Sequence, residues 1–261
     1  MKMKKTAIII ALFVITVGQS QTINNNLQGY FKDTKGESFY SYLSFDNNGK
    51  VGIIGLEGGD YFIKGDSLIV FPDKSIFKFK IENDKLIGVS NWVQDGVWQL
   101  QKDSIATNNR KDDALAEKRA VLLNEYYEKT RMKDNQMAML FDKQLMLDYK
   151  KTIESLCDRE LPRACMEWFG LQLVEEMGGF EAAMNPKKAK PMTESPAIIA
   201  LANKIIDLGE VEGYTALANY YTILKQNDKA NETLEKAISA GSRKAALQLL
   251  LNDAENEDDK K

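Results

Sequence analysis

The chain has no histidine among its 261 residues, and it has only two cysteines and five prolines. Histidine is the commonest general base and the commonest metal ligand in proteins, so its absence removes the residue type on which most such sites depend. Carboxylates, lysines, tyrosines and the two cysteines remain for chemistry. We therefore expect a protein that is not an enzyme and that binds no cofactor and no metal ion.

Paired carboxylates leave one enzymatic alternative open. Close acid groups occur at Glu175 and Glu176, and again near Glu255 and Asp258. A carboxylate-dependent hydrolase needs at least one acid in a buried cleft, where its pKa rises. We expect all of these acids to be exposed, so the sequence argues against a hydrolase.

Long apolar runs are absent except at the start of the chain. Lys2, Lys4 and Lys5 precede an apolar stretch at residues 7–17, and Gly18 and Ser20 supply small residues ahead of a cleavage point. This order is typical of a signal peptide, and the stretch is shorter than the roughly 20 residues that cross a bilayer. The sequence therefore predicts a cleavable signal peptide over residues 1–20. A periplasmic or secreted location follows, with no integral membrane segment after cleavage.

The charge balance argues against nucleic acid as a partner. The chain carries a formal net charge of −3, and loss of the three leader lysines would change it to −6. Proteins that bind nucleic acid without a basic face are rare, because phosphate contacts dominate the affinity. We expect a protein or peptide partner instead.

The composition changes near residue 103. Glycine, aromatic and β-branched residues dominate before this point, whereas alanine, leucine, glutamate and lysine dominate after it. We predict an α+β protein with an antiparallel β-domain over residues 27–102 and a polar linker over 103–112. A helical domain over 113–252 and a disordered tail over 253–261 complete the predicted organisation.

The first half shows the period of β-strands. Phe77, Phe79 and Ile81 alternate with lysines, and turn sequences such as Asn47-Asn48-Gly49 recur every 6 to 12 residues. We count about eight short strands between residues 27 and 101. This spacing predicts a small antiparallel β-meander that forms a barrel or a half-barrel.

The β-domain resembles the lipocalin-like domains of small bacterial envelope proteins. The resemblance lies in Gly29-Tyr30-Phe31, the hairpin at residues 42–49, the run at 60–69 and the closing segment at 96–100. It implies a carrier of a small hydrophobic ligand or a carbohydrate. A cavity lined by Phe39, Leu43, Phe77 and Phe79 would favour that function, whereas a barrel this small is expected to fill with its own side chains.

Two tryptophans of this half have different expected roles. Trp98 alternates with Leu100 on a strand, so we expect it in the core. Trp92 lies beside a turn, where its indole ring could stack on a sugar or could pack against the domain.

An internal repeat marks the second half. Two segments align at an offset of 32 residues, where Gly209 coincides with Gly241, Gly213 with Ala245, and Leu217 with Leu249. An earlier segment aligns at an offset of 49 residues, where Ala164 coincides with Gly213 and Trp168 with Leu217. Periods of this length are typical of stacked helix pairs.

The repeat resembles the Sel-one-like branch of tetratricopeptide-type repeats over residues 149–252. The residues that carry the resemblance are Gly209, Gly213, Leu217 and the pair Tyr220-Tyr221. A secreted subgroup of that family links the two helices of a unit by a disulfide, which implies a bridge between Cys157 and Cys165. Two buried free thiols, or a redox or metal pair, are the alternatives, although the spacing is not that of C-x-x-C enzymes.

The repeat resemblance implies that partners bind on the face of the helical stack. Aromatic and amide side chains are the residues expected there. The candidates are Trp168, Asn219, Tyr220 and Tyr221. Each tyrosine could instead pack between helices.

Overall fold

The structure is a computed structural model that describes residues 21–258, except residues 37, 55–57, 73–74, 102–112, 131–141, 186 and 188–189. It confirms the predicted α+β layout, with a β-barrel in the first half and helices in the second. The predicted signal peptide at 1–20 and linker at 103–112 lie outside the described residues.

Eight antiparallel strands form a closed up-and-down barrel. Strands that are consecutive in the chain, from β2 to β9, lie next to each other in the barrel. β9 then pairs with β2 through Phe31–Leu100 and Asp33–Trp98 and closes the ring. A short ninth strand, β1, pairs with the end of β5 that β4 leaves uncovered. The strands are β1 Ile23–Asn24, β2 Gln28–Asp33, β3 Tyr42–Asp46, β4 Lys50–Ile53, β5 Gly59–Lys64, β6 Ser67–Phe71, β7 Phe77–Glu82, β8 Lys85–Gly88 and β9 Val97–Leu100.

The turns between the strands use the residues that the sequence marks as turn formers. Asn47, Asn83 and Asp95 have φ values of 64°, 55° and 63°, and Gly49 and Gly65 have 91° and 63°. Asparagine, aspartate and glycine tolerate this left-handed conformation better than other residues do. The predicted positions of these turns are therefore confirmed.

Side chains fill the interior of the barrel. Leu43, Phe77 and Trp98 are fully buried, and the Phe79 and Trp98 rings lie 5.2 Å apart in an edge-to-face contact. The indole N–H of Trp98 donates to the carbonyl of Tyr40 at 2.7 Å. The predicted core position of Trp98 is confirmed, and aromatic packing occupies the space that a ligand would need.

Eight helices follow among the described residues. They are α1 Asp113–Thr130, α2 Lys143–Asp158, α3 Pro162–Glu176, α4 Phe180–Met184, α5 Pro196–Asp207, α6 Glu212–Ile223, α7 Asn227–Ser239 and α8 Arg243–Asp258. Residues 253–258, predicted as part of a disordered tail, continue α8. Charge alone does not end a helix, and this segment contains neither glycine nor proline. No helix in the described part of the chain is long and apolar enough to cross a membrane.

The helices form three hairpins with the same turn. Glu160, Gly209 and Gly241 each adopt a left-handed φ, of 70°, 90° and 98°, directly after the first helix of a hairpin. In each turn this residue and the next one donate backbone hydrogen bonds to carbonyls of the last helical turn. These residues are 49 and 32 positions apart, which are the two offsets seen in the sequence.

The helical region packs on the outer side of β5 and β6. Phe62 and Phe71 point outward from these strands, and their rings lie 5.8 and 6.2 Å from the ring of Tyr127 on α1. Strands β5 and β6 are therefore buried on both faces, whereas most of the other strands alternate between core and solvent. The outer faces of β5 and β6 share one apolar core with the first two hairpins, and the interior of the barrel forms a separate core.

Candidate functional site

The two cysteines form a disulfide within the first hairpin. Cys157 lies in the last turn of α2, Cys165 lies in the first turn of α3, and their Cα atoms are 4.5 Å apart. Pro162 begins α3, where its missing N–H costs no helical hydrogen bond. The pairing predicted from the family resemblance is confirmed. Both residues are buried against α1 and α5, so the bridge is a structural one.

A groove lies on the surface between α3 and α5. Its cavity has a volume of about 270 Å³ and is lined by Trp168, Gln172, Ala197, Ile198, Ala200, Leu201 and Lys204. Ile198 is buried and forms the floor, whereas Ala197 and Ala200 are exposed. The groove therefore has an apolar base, one aromatic wall and polar groups at its edge.

Lys204 is the cation of the groove. Its ammonium nitrogen lies 3.6 Å from a carboxylate oxygen of Asp158, whose side chain is three-quarters exposed. A pair this long and this solvated is weak. Lys204 can therefore turn toward an acidic group in the groove at little cost.

The other predicted contact residues do not join Trp168 in one site. Tyr220 is fully buried, and its hydroxyl accepts from the N–H of Ser195 at 2.6 Å and donates to the carbonyl of Thr193 at 3.3 Å. Tyr220 therefore holds the chain that leads into α5 and offers no surface to a partner.

Asn219 and Tyr221 face the later helices. The exposed Asn219 accepts a hydrogen bond from Gln248 of α8 at 2.7 Å. The half-buried ring of Tyr221 lies under the Lys229 ammonium of α7 at 5.3 Å. Of the four predicted contact residues, only Trp168 lines the groove.

A polar cluster joins the barrel to the helical region. The ammonium of Lys50 lies 2.8 Å from Asp60 and 2.7 Å from Glu210, which precedes α6. Burial lowers the pKa of Lys50, but the two carboxylates outweigh it and hold that pKa above its usual range. Burial raises the pKa of Glu210, and Lys50 opposes this effect. The adjoining cavity has a volume of about 20 Å³, enough for about one water molecule. The cluster therefore connects the barrel to the helical region and leaves no room for a substrate.

Glu167 is a half-buried acid on α3. The Tyr126 hydroxyl donates to one of its carboxylate oxygens at 2.7 Å, and the Tyr149 hydroxyl donates to the other. Burial raises the pKa of Glu167, and the Tyr126 hydrogen bond only partly offsets this. Because both oxygens accept phenol hydrogen bonds, the cluster ties α1 and α2 to α3.

The loops at one end of the barrel expose apolar residues. Phe39 is 78% exposed and Trp92 is 64% exposed. Phe39 therefore lies outside the barrel interior in which Leu43, Phe77 and Phe79 are buried, and the four residues do not line a common cavity. Phe39 lies in the loop between β2 and β3, and its ring packs on the ring of Tyr40 at 5.3 Å. Tyr40 in turn packs on Phe77 and covers this end of the barrel.

Neither a scan against protein-family models nor searches of curated proteins and of solved structures found a match to this chain. The function is therefore argued from the geometry above and from the resemblances in the sequence.

Most residues of the groove could not be selected from the sequence. Ala197, Ala200 and Leu201 belong to α5, whose apolar pattern predicts a helix without showing which side stays open. The available signal was the proline-bounded start of this helix at Pro196 and its small residues three positions apart. That signal becomes specific only when α3 is known to lie beside α5.

Proposed function

We propose that this protein is a non-enzymatic periplasmic or secreted protein that binds a protein or peptide partner in the groove between α3 and α5. The observation that carries the proposal is the open cavity of about 270 Å³ beside Trp168. Small-molecule sites usually have volumes of about 300–1,000 Å³, so this groove suits one or two side chains of a peptide better than a whole ligand.

The lining of the groove defines the chemistry of the partner. Trp168 and Leu201 offer apolar contact to an anchoring side chain, and aromatic anchors of this kind dominate many interfaces. Ala197 and Ala200 are small enough for a partner backbone to come close to α5. Lys204 at the edge favours a carboxylate, so we propose a peptide with an apolar anchor next to an acidic residue.

Two further features support a binding role. The turn that recurs at Glu160, Gly209 and Gly241 is the geometry that a stack of similar helix pairs requires, in line with the Sel-one-like resemblance. Helix-pair stacks bind partners on extended surfaces. The buried Cys157–Cys165 bridge supports an oxidising compartment, because disulfides persist mainly outside the cytosol.

The groove is tested by filling it. Peptides are selected from a displayed random library on the purified protein, and their affinities are measured by fluorescence polarisation for the wild type and for Ala200→Trp. We expect Ala200→Trp to weaken binding at least about tenfold, because the new indole occupies the space of the anchor. The selected peptides should share an apolar residue beside an acid.

The matched control is Ala114→Trp, which adds the same ring at an exposed alanine of α1. It should leave peptide affinity unchanged. If the selected peptides bind Ala200→Trp as tightly as the wild type, or if none is enriched, the groove is not the binding site.

The compartment is tested separately by intact mass. Protein from the native envelope, kept free of reductant, should begin at Gln21 and should contain no thiol that reacts with an alkylating agent. A chain that retains residues 1–20 and carries two reactive thiols would contradict the proposed location and leave the groove experiment unaffected.

A further inference from the structure

The chain that leads into α5 lies against α6 and α7. Residues 190–195, here called the strap, belong to no helix or strand, and the side chain of Met192 packs into the apolar core. The hydroxyl of Tyr220 accepts from the N–H of Ser195 at 2.6 Å and donates to the carbonyl of Thr193 at 3.3 Å. The buried side chain of Tyr220 therefore binds the strap through its backbone, as it would bind a separate peptide.

The acidic residue of the strap pairs with a cation on α7. A carboxylate oxygen of Glu194 lies 2.6 Å from the ammonium of Lys229, which lies over the ring of Tyr221. The side chains of Glu194 and Lys229 are 39% and 50% exposed, so water screens the pair and it holds the strap only weakly. A surface segment with contacts of this kind opens at a free energy below that of global unfolding.

The strap leaves one buried acceptor beside it unpaired. The Oε1 atom of Gln226, which precedes α7, is buried and accepts a hydrogen bond from no residue in the described part of the chain. Glu194 interacts with the same side chain. A buried acceptor without a donor costs free energy. A ligand that supplies a donor to this oxygen would therefore gain an interaction that the strap lacks.

We propose that the strap is an internal ligand that occupies a peptide-binding site on α6 and α7, and that a partner peptide displaces it. The contacts of the strap define this partner as an extended peptide with an apolar residue two positions before an acid. The apolar residue takes the place of Met192, the acid pairs with Lys229, and the backbone between them bonds to the Tyr220 hydroxyl. The groove beside Trp168 is lined by α3 and α5, so the inference does not rest on the proposed function.

Fluorescence polarisation tests the site with a labelled peptide that has the sequence of residues 190–197. In the wild type the closed strap competes with the peptide and raises the apparent dissociation constant. The double variant Met192→Ala/Glu194→Gln, whose strap has lost both side-chain contacts, should bind the peptide at least about tenfold more tightly. A peptide with alanine and glutamine at the same two positions should not bind.

A charge exchange tests the contact with Lys229. In the double variant, the further change Lys229→Glu should weaken binding at least about tenfold, and a peptide with lysine in place of its glutamate should restore it. Lys151→Glu, the same change at an exposed lysine of α2, should leave the affinity unchanged. Ala200→Trp should also leave it unchanged, so failure of this site and failure of the α3–α5 groove are distinguishable.

Hydrogen exchange of the wild type gives a readout that does not depend on the folding of a variant. An excess of the peptide should speed amide exchange at residues 192–195, while α6 and α7 keep their protection. An excess of peptide that leaves exchange of the strap unchanged overturns the inference, as does equal peptide affinity of the double variant and the wild type.

Discussion

The barrel and the helical region use apolar residues in different ways. In the barrel, β2 and β9 close the ring, and large side chains such as Trp98 fill its interior. In the helical region, small residues allow the helices to approach, as Gly213 does where a Cβ would lie 2.8 Å from Ile206. The stack does not close on itself, and it leaves Trp168 and Leu247 accessible.

The difference shows where binding surfaces can arise in this chain. A closed barrel pairs its strand edges and covers its core, so it offers partners only its loop ends and outer wall. The helices cover the outer wall at strands β5 and β6. An open stack leaves a face at every hairpin, and the proposed interface between α3 and α5 lies on such a face.

The largest effect should come from Trp98→Ala. This change removes a fully buried indole and its hydrogen bond to Tyr40, and we expect the free energy of unfolding to fall by about 3–5 kcal/mol. Urea denaturation monitored by circular dichroism measures it. Trp92→Ala is the matched control and should change stability by less than about 0.5 kcal/mol. Equal effects at the two positions would show that Trp92 is also part of the packing.

Loss of the disulfide should be the next largest effect. Cys157→Ala/Cys165→Ala opens a loop of about nine residues, which we expect to lower stability by roughly 2–3 kcal/mol. Hydrogen exchange should show faster amide exchange in α2 and α3 than in the barrel strands. Uniform acceleration across both regions would mean that the shared core makes them unfold as one unit.

The hairpin turns allow a smaller and cleaner test. Gly209→Ala should cost about 1–2 kcal/mol, because Gly209 has a φ of 90° and a Cβ there would meet no other atom. The penalty is therefore one of backbone conformation. Lys225→Gly is the reciprocal control, since the exposed Lys225 holds a φ of 59° at the same kind of turn. In thermal unfolding, Gly209→Ala should lower the stability, whereas Lys225→Gly should lower it little or raise it.

The smallest effect concerns pH. Because the folded protein raises the pKa of Glu167, the free energy of unfolding should fall as pH rises above the ordinary value of 4.5 toward the raised value. Glu167→Gln removes this fall and keeps one acceptor oxygen, which serves one of the two tyrosine hydroxyls. Relative to the wild type, the variant should therefore gain stability between pH 4 and pH 7 in urea denaturation.

Glu232→Gln is the control of opposite sign. Lys236 lowers the pKa of the exposed Glu232, so the wild type gains stability as pH rises and this variant should lose it by comparison. If both changes shift the stability profile in the same direction, the raised pKa of Glu167 is contradicted.

Much of the fold could be predicted because its signals are local. Turn residues such as Asn47 and Gly65 have conformational preferences that act within four residues, and Pro162 marks the start of a helix in the same way. The bridge between Cys157 and Cys165 spans the turn of a single helical hairpin and the helix ends on either side of it. The site was less predictable, since the sequence did not separate the half-buried Trp168, which lines the groove, from the fully buried Tyr220.

The sequence by itself determined the α+β order, the positions of several turns and the recurrence of the hairpins, and the family resemblance implied the disulfide. Only the tertiary structure decided that the strands close into a barrel, that Phe39 lies outside it, and that β5 and β6 are covered by α1. The physical reason is distance along the chain. Local propensities depend on neighbouring residues, whereas burial of Tyr220 and exposure of Leu247 depend on which distant helix lies alongside.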